Sequence, residues 1–235
     1  MKKLLIFGLL IFIGVEILDV LSEVPFGEDR MKVSNFYLEK SPEVLKVSNV
    51  VTAIVVNFRG FDTLGEVTVL FLAAAGIGSI LYRRRSVHTE LNPKRTSTEA
   101  SNIVQAGAKV LFPLIILLGA YIFVHGHLTP GGGFQGGAII ATGFLLMLIS
   151  YRKFFVKHSG VTWIESIAGI VFVGLGLLGM VYGGTFLENF LPAGELNSLI
   201  SGGIIGIIYI AVGFKVGAEL TGVLDTLLNI SQDEE

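Results

Sequence analysis

The chain has 235 residues, of which 52% are hydrophobic and only 15% charged, with 30 glycines, a net charge of −2 and no cysteine. Soluble chains carry nearer a quarter charged residues, so this composition belongs in lipid, and the slight negative charge argues against a nucleic-acid partner. Without thiols the chain can form no disulfide, iron–sulfur or thiolate metal site, so redox chemistry of that kind must sit on another polypeptide.

Residues 4–21 are the first long apolar run, preceded by Lys2 and Lys3. No small-x-small cleavage pattern follows, because Leu21-Ser22-Glu23-Val24-Pro25 has the wrong chemistry, and the run reads as a retained transmembrane helix. Residues 22–46 mix acidic and basic side chains with Pro25, Gly27 and Pro42, which suggests an extramembrane loop. Residues 47–58 are apolar but too short to span and are closed by Arg59-Gly60, as in an interfacial or partly inserted helix. Residues 61–82 are long enough to cross, since about 20 residues at 1.5 Å each match the hydrocarbon core.

Arg83, Arg84 and Arg85 end that crossing, and the polar stretch up to Ser101, with Pro93, Lys94 and Arg95, reads as a linker. Further spans are expected at 102–124, 134–150, 161–182 and from 199 to 221 or beyond. The fold class is therefore all-α integral membrane, with about six transmembrane helices and one short interfacial or partly inserted helix. With the amino terminus inside, the basic clusters at Lys2-Lys3, 83–95 and 152–157 all fall on one side. The positive-inside rule then puts both termini in the cytoplasm of a plasma-membrane protein.

The turn between the third and fourth spans reads His125-Gly126-His127-Leu128-Thr129-Pro130-Gly131-Gly132-Gly133-Phe134-Gln135-Gly136-Gly137. Pro130 fixes a bend, the glycines admit close approach, and the four-residue spacing of Gly132 with Gly136 and of Gly133 with Gly137 gives a bare helix face. A phosphate-cradling loop would need a Gly-Lys-Ser/Thr ending or a strand before it, and neither is present. Two readings stay open: a tight turn built for packing, or a loop that takes part in ion passage. His125 and His127 read as turn residues at the interface rather than metal ligands. Gly202, Gly206, Gly213 and Gly217 form a second bare stripe on the last helix, and Gly174, Gly176, Gly179 and Gly183 another on the fifth, for contact within the chain or with a neighbouring one.

Charges in the hydrocarbon core cost at least about 2.5–3.5 kcal/mol, so each needs a partner, a wet cavity or an escape to the interface. Asp62 and Glu66 lie four apart near the start of the second span, with Arg59 beside them; Lys109 precedes Pro113, which frees the Lys109 carbonyl and should kink the third span. Glu165 sits near the start of the fifth span, and Lys215 and Glu219 are four apart on the last, away from the glycine stripe. These six are the candidate ion-translocation residues, since a proton route needs side chains that accept and release protons in partial burial. Snorkelling lysines and solvated carboxylates are the alternative for each.

Residues 101–230, and above all the loop motif with its His125-Gly126-His127 start and Gly131-Gly132-Gly133-Phe134-Gln135-Gly136-Gly137 core, resemble the MnhB-like (B-type) component of Mrp-type cation/proton antiporters. Residues 44–82, with Asn49-Val50-Val51-Thr52 through Phe61-Asp62-Thr63-Leu64-Gly65-Glu66, are similar to the carboxyl-terminal part of the large A-type component of the same antiporters. The chain then reads as four parts: a helix and external loop at 1–43, which carry no such resemblance, an A-like segment at 44–82, a polar, cytoplasmic linker at 83–101 and an MnhB-like four-helix domain at 102–235. In bacterial antiporters the two segments belong to separate polypeptides. Their fusion looks more like archaeal respiratory complexes that join an antiporter-like arm to a hydrogenase or sulfur-reducing arm.

The resemblance implies a non-catalytic membrane subunit of a sodium/proton antiporter module, without a cofactor of its own, packed against other membrane subunits of an Mrp-type module and lipid, with hydrogenase-like or sulfur-reductase-like peripheral subunits in the same complex. Glu66 would belong to the ion route. The competing reading is a purely structural component that holds transporting partners together.

Overall fold

The computed structural model describes residues 2–23, 32–87, 100–151 and 154–230. Every regular element among them is helical. The chain divides into two units, 1–36 and 37–235. In the first, α1 (Lys2–Glu23) is a continuous helix of 22 residues whose apolar side chains, Phe7, Leu10, Phe12 and Leu18 among them, are exposed around its circumference. A helix apolar on all sides has no aqueous face to present.

The stretch read as a loop at 22–46 instead contains a helix, α2 (Lys32–Val44). Pro42 falls in its last turn, and within the second unit Ser41 is buried and donates to the Tyr37 carbonyl while the Tyr37 ring lies 5.0 Å from that of Phe58. The short apolar segment follows as α3 (Val50–Thr52), which widens into a π-helix over Ala53–Phe58. Val47, Thr52, Ala53 and Val56 are buried against the interior of the second unit.

Five helices among the described residues are long and apolar enough to cross a membrane: α4 (Gly60–Val87), α5 (Asn102–Val124), α6 (Gly133–Ser150), α7 (His158–Tyr182) and α8 (Ile204–Ile230). Their bounds follow the apolar runs, with two shifts. The α4 helix carries on through Arg83–Arg85 to Val87 rather than stopping before the arginines, because arginine propagates a helix well; the rest of the linker, 88–99, lies outside the described residues. The last helix starts at Ile204, five residues later than its apolar run. Gly202 and Gly203 precede it with φ of +83° and +57°, a turn that only glycine takes without strain, and the Asn189 side chain accepts from the Ile204 N–H. Gly202 is thus a turn residue against Val47 rather than part of the helical stripe.

The axis of the second unit is α8, which packs on α4, α5, α6, α7 and the π-helix. Of its most apolar window 67% is buried inside the chain, against 11% for α4. Ile204, Ile205, Ile208, Tyr209, Val212 and Val216 of α8 form the core with Val67 of α4 and Phe172 of α7.

The glycine-rich turn is what lets α5, α6 and α8 come this close. A Cβ on Gly133 would meet the Tyr209 carbonyl oxygen at 2.8 Å, and one on Gly137 the Gly213 oxygen at 2.7 Å, both on α8; one on Gly136 would meet the Gly119 oxygen of α5 at 2.6 Å. The start of α6 is therefore bare on two sides at once. On α8, Gly213 lies under the Phe123 ring and Gly217 beside Gly137, while Gly206 faces His127. The stripe on α7 has a different use: Gly176, Gly179 and Gly183 are covered by Phe186, Leu187 and Glu188 of the following loop, and Gly174 has nothing within 4 Å. These engaged glycine faces are occupied within the chain.

Candidate functional site

At one end of the second unit the segment before α4, the α5–α6 turn and the loop after α7 meet. Asn49 receives the Thr52 N–H and donates to the Gly126 and Thr129 carbonyls at 2.8 and 2.9 Å, and the Thr52 hydroxyl donates to Gly126 at 2.6 Å. Thus the A-like segment is clipped to the loop motif by its own first residues. His127, expected at an interface, is 1% exposed, and neither ring nitrogen has a hydrogen-bond partner among the described residues. Burial pushes its pKa below the ordinary histidine value, an effect that the Ser198 and Leu199 backbone offsets only in part. His125 stacks on Tyr121 with centroids 4.3 Å apart.

The charged candidates divide into two groups. Asp62 pairs with Arg59 at 2.5 Å, and both side chains are about half exposed or more. Glu66 stands exposed on α4, one and a half turns beyond its start. Lys109 is exposed on α5, where its ammonium lies 5.5 Å from the Tyr151 ring centre, and α5 runs through Pro113 as one helix. These three are not brought together with the others.

Glu165, Lys215 and Glu219 are. The Lys215 ammonium lies 3.5 Å from Glu165 Oε1 across the α7–α8 contact and 3.5 Å from Glu219 Oε2 one turn further along α8. Lys215 and Glu219 are buried, at 8% and 3% exposure. The ring of Phe71 on α4 covers the ammonium at 5.2 Å. Both Glu219 oxygens are buried with no hydrogen bond among the described residues, and Lys215 is the cation beside them.

A unit pair at this distance attracts by about 5 kcal/mol at an effective dielectric of 20. One ammonium between two carboxylates leaves one negative charge over when all three are ionised, and a proton or a small cation is what would neutralise it. A cleft of about 220 Å³ reaches these carboxylates between α4, α7 and α8.

Sequence reasoning found the pair on α8 and placed Glu165 at a similar depth, but gave Lys215 no partner on another helix. It missed Phe71, for which an apolar run offers no signal. It also missed that the cleft-lining residues recur at helical spacing from each carboxylate, His158-Thr162-Glu165 on α7 and Glu219-Gly222-Thr226 on α8. That signal was present in the spacing itself.

Comparison with known proteins agrees with this architecture. Residues 103–222 match the family described as a domain related to the MnhB subunit of Na+/H+ antiporters, and residues 5–97 match the family of the MBH E-type subunit. An uncharacterized protein of Methanocaldococcus jannaschii is 32% identical over 199 residues, covering 74% of this chain and 75% of that one. The A/B-type subunit of a probable K+/H+ antiporter from Rhizobium meliloti is 30% identical over 168 residues, which cover 62% of this chain but only 16% of that much longer protein. Among solved structures, a chain of the membrane-bound sulfane sulfur reductase, an archaeal respiratory membrane complex, superposes with a TM-score of 0.80 at 43% identity, covering 97% of this chain and 98% of that one. With the MnhB-related match spanning half of its length and the multi-helix membrane fold described above, this chain belongs to the MnhB-related family of Na+/H+ antiporter subunits.

Proposed function

We propose that the chain serves as a non-catalytic membrane subunit of a cation/proton antiporter module within a respiratory complex, and that Glu165, Lys215 and Glu219 are its ion-handling station. The observation that carries this is a buried lysine shared by two carboxylates inside the span region, reached by a cleft whose mostly apolar wall carries His158, Thr162 and Thr226. With all three groups ionised the cluster is one positive charge short, which leaves room for a proton or a small cation. The likeness to a chain of a sulfane sulfur reductase supports a respiratory complex of the sulfur-reducing kind, with any redox group held by a partner protein. The basic clusters support a plasma-membrane protein with both termini cytoplasmic.

Asp62, Glu66 and Lys109 have a lesser place in this reading. Glu66 stands on the outer surface of α4, where a neighbouring chain would have to complete any route through it. A purely structural component would have to rest on the open glycines such as Gly76, Gly107 and Gly169, because those of the α5–α6 turn and the facing ones of α8 are used up inside the chain.

The test is Glu219→Gln and Glu165→Gln in the assembled complex, reconstituted in vesicles and read by cation-driven proton movement. Glu219→Gln should slow transport on the order of a hundredfold, the scale of removing a positioned proton carrier, with assembly intact. Unchanged transport in both variants would overturn the assignment.

A further inference from the structure

We infer that the cleft between α4, α7 and α8 is a one-sided access channel, which connects Glu219 to the aqueous phase at the end where α7 begins and is closed toward the other side. This rests on the ion-handling reading of Glu219 and adds to it a direction.

The lining residues all lie on one side of Lys215. On α8 the polar ones are Glu219 and Thr226, toward the helix end, with Gly222 and Val223 between them; on α7 they are His158, Thr162 and Glu165, in its first two turns, beside Val161; α4 contributes only apolar residues, Ala74, Ala75, Ile77 and Gly78 among them. Because α7 starts at His158, the cleft begins at the end of the bundle and runs inward about two turns, or roughly 10 Å, to the carboxylates.

Beyond Lys215 the packing is different. Val216, Val212, Tyr209 and Ile208 follow back along α8, all buried in the core with Val67 of α4 and Phe172 of α7. Phe71 lies over the ammonium between the cleft and this core. An ion that reaches Glu219 therefore meets Lys215 and an apolar plug and returns the way it came unless the helices rearrange.

The walls are mostly apolar, and it is the line of polar groups along α7 and α8 that suits a small cation or a file of waters. The Thr162 and Thr226 hydroxyls donate to the carbonyls of His158 and Gly222 on their own helices, at 3.0 and 2.8 Å, which leaves their oxygens as acceptors. The Glu219 carboxylate, buried, without a hydrogen bond among the described residues and lining the cleft, is the acceptor at its end.

The absence of cysteine makes the test direct. Single substitutions Thr162→Cys and Thr226→Cys on the cleft wall, and Val212→Cys in the plug, are made in the full complex in sealed, oriented vesicles. A small, membrane-impermeant, positively charged thiol reagent is applied from either side, and modification of this chain is read by mass. Both threonine positions should react from the side of the α7 start, on the order of a hundredfold faster than from the opposite side, because a charged reagent is excluded from hydrocarbon by a factor of that order. Val212→Cys should react from neither side.

Failure of either threonine position to react from the α7-start side, reaction of either as fast from the opposite side, or reaction of Val212→Cys from any side would overturn the channel. Each cysteine variant is also made with Glu219→Gln. If the labelling pattern persists while transport in Glu219→Gln is unchanged, the access channel stands and the ion-handling reading fails. If transport is lost but the cleft does not label, the reverse holds.

Discussion

Lys215 is the residue on which the buried charges depend. Removing it leaves Glu219 inside the chain with no cation beside it, and breaking a buried pair from one side typically costs about 3–5 kcal/mol. Lys215→Met should therefore lower the unfolding temperature of the purified complex or abolish its assembly. Lys215→Met combined with Glu219→Gln should recover much of the loss, since the deeply buried carboxylate is then neutral and only the more exposed Glu165 is left without its cation. Equal destabilisation by the single and double variants would show that Lys215 matters for its packing under Phe71 instead. His127 gives a second prediction. Its native pKa is depressed by burial, so below about 6.5 the unfolded chain takes up a proton that the folded chain refuses. Stability should accordingly fall as pH drops through that value toward the lower native one, and His127→Gln should flatten this acid limb in melts recorded from neutral to mildly acidic pH.

At the scale of elements, the contacts of α6 decide how near the helices lie. A methyl group at Gly137 would meet the Gly213 backbone oxygen, which cannot move without shifting α8. Gly137→Ala should therefore cost a few kcal/mol, in the range of about 1–3 for an overpacked core, and separate α6 from α8. Gly174→Ala, placed where nothing lies within 4 Å, should be neutral or slightly stabilising because alanine favours helix. Thermal melts of the two variants side by side distinguish packing from propensity. The α5–α6 motif was legible as a packing device because closely spaced glycines in an apolar setting have few other uses. That α6 would be bare toward both neighbours was not, since glycine spacing along one helix does not say what stands opposite it. The helix at 32–44 escaped for a different reason: its charges and Pro42 read as a loop, whereas a proline in the last turn need not end a helix that Tyr37 and Ser41 anchor.

For the second unit as a whole, the A-like and MnhB-like parts are joined by far more than the linker. The α4 helix packs on α8, and Asn49 and Thr52 hold the α5–α6 turn through hydrogen bonds. Expressing residues 1–87 and 100–235 as two polypeptides should therefore still give a complex that copurifies in mild detergent. Adding Asn49→Ala, which removes the donor to the Thr129 carbonyl and one of the two to Gly126, should weaken it by about 1–3 kcal/mol. Failure of the two pieces to associate would make the covalent linker essential.

The sequence by itself determined the class of protein and the position of its crossings, because lipid demands long apolar runs and those are written residue by residue. It also singled out the ionisable groups that fall within apolar helices, since the cost of a charge in such a run is a property of each residue and its place along the helix. Which of them meet was decided only in three dimensions: Glu165 joins Lys215 from another helix fifty positions away, while Asp62, Glu66 and Lys109 stay on the surface. The physical reason is that periodicity fixes the face of a helix a side chain occupies, whereas the neighbour toward which that face turns is set by packing around α8.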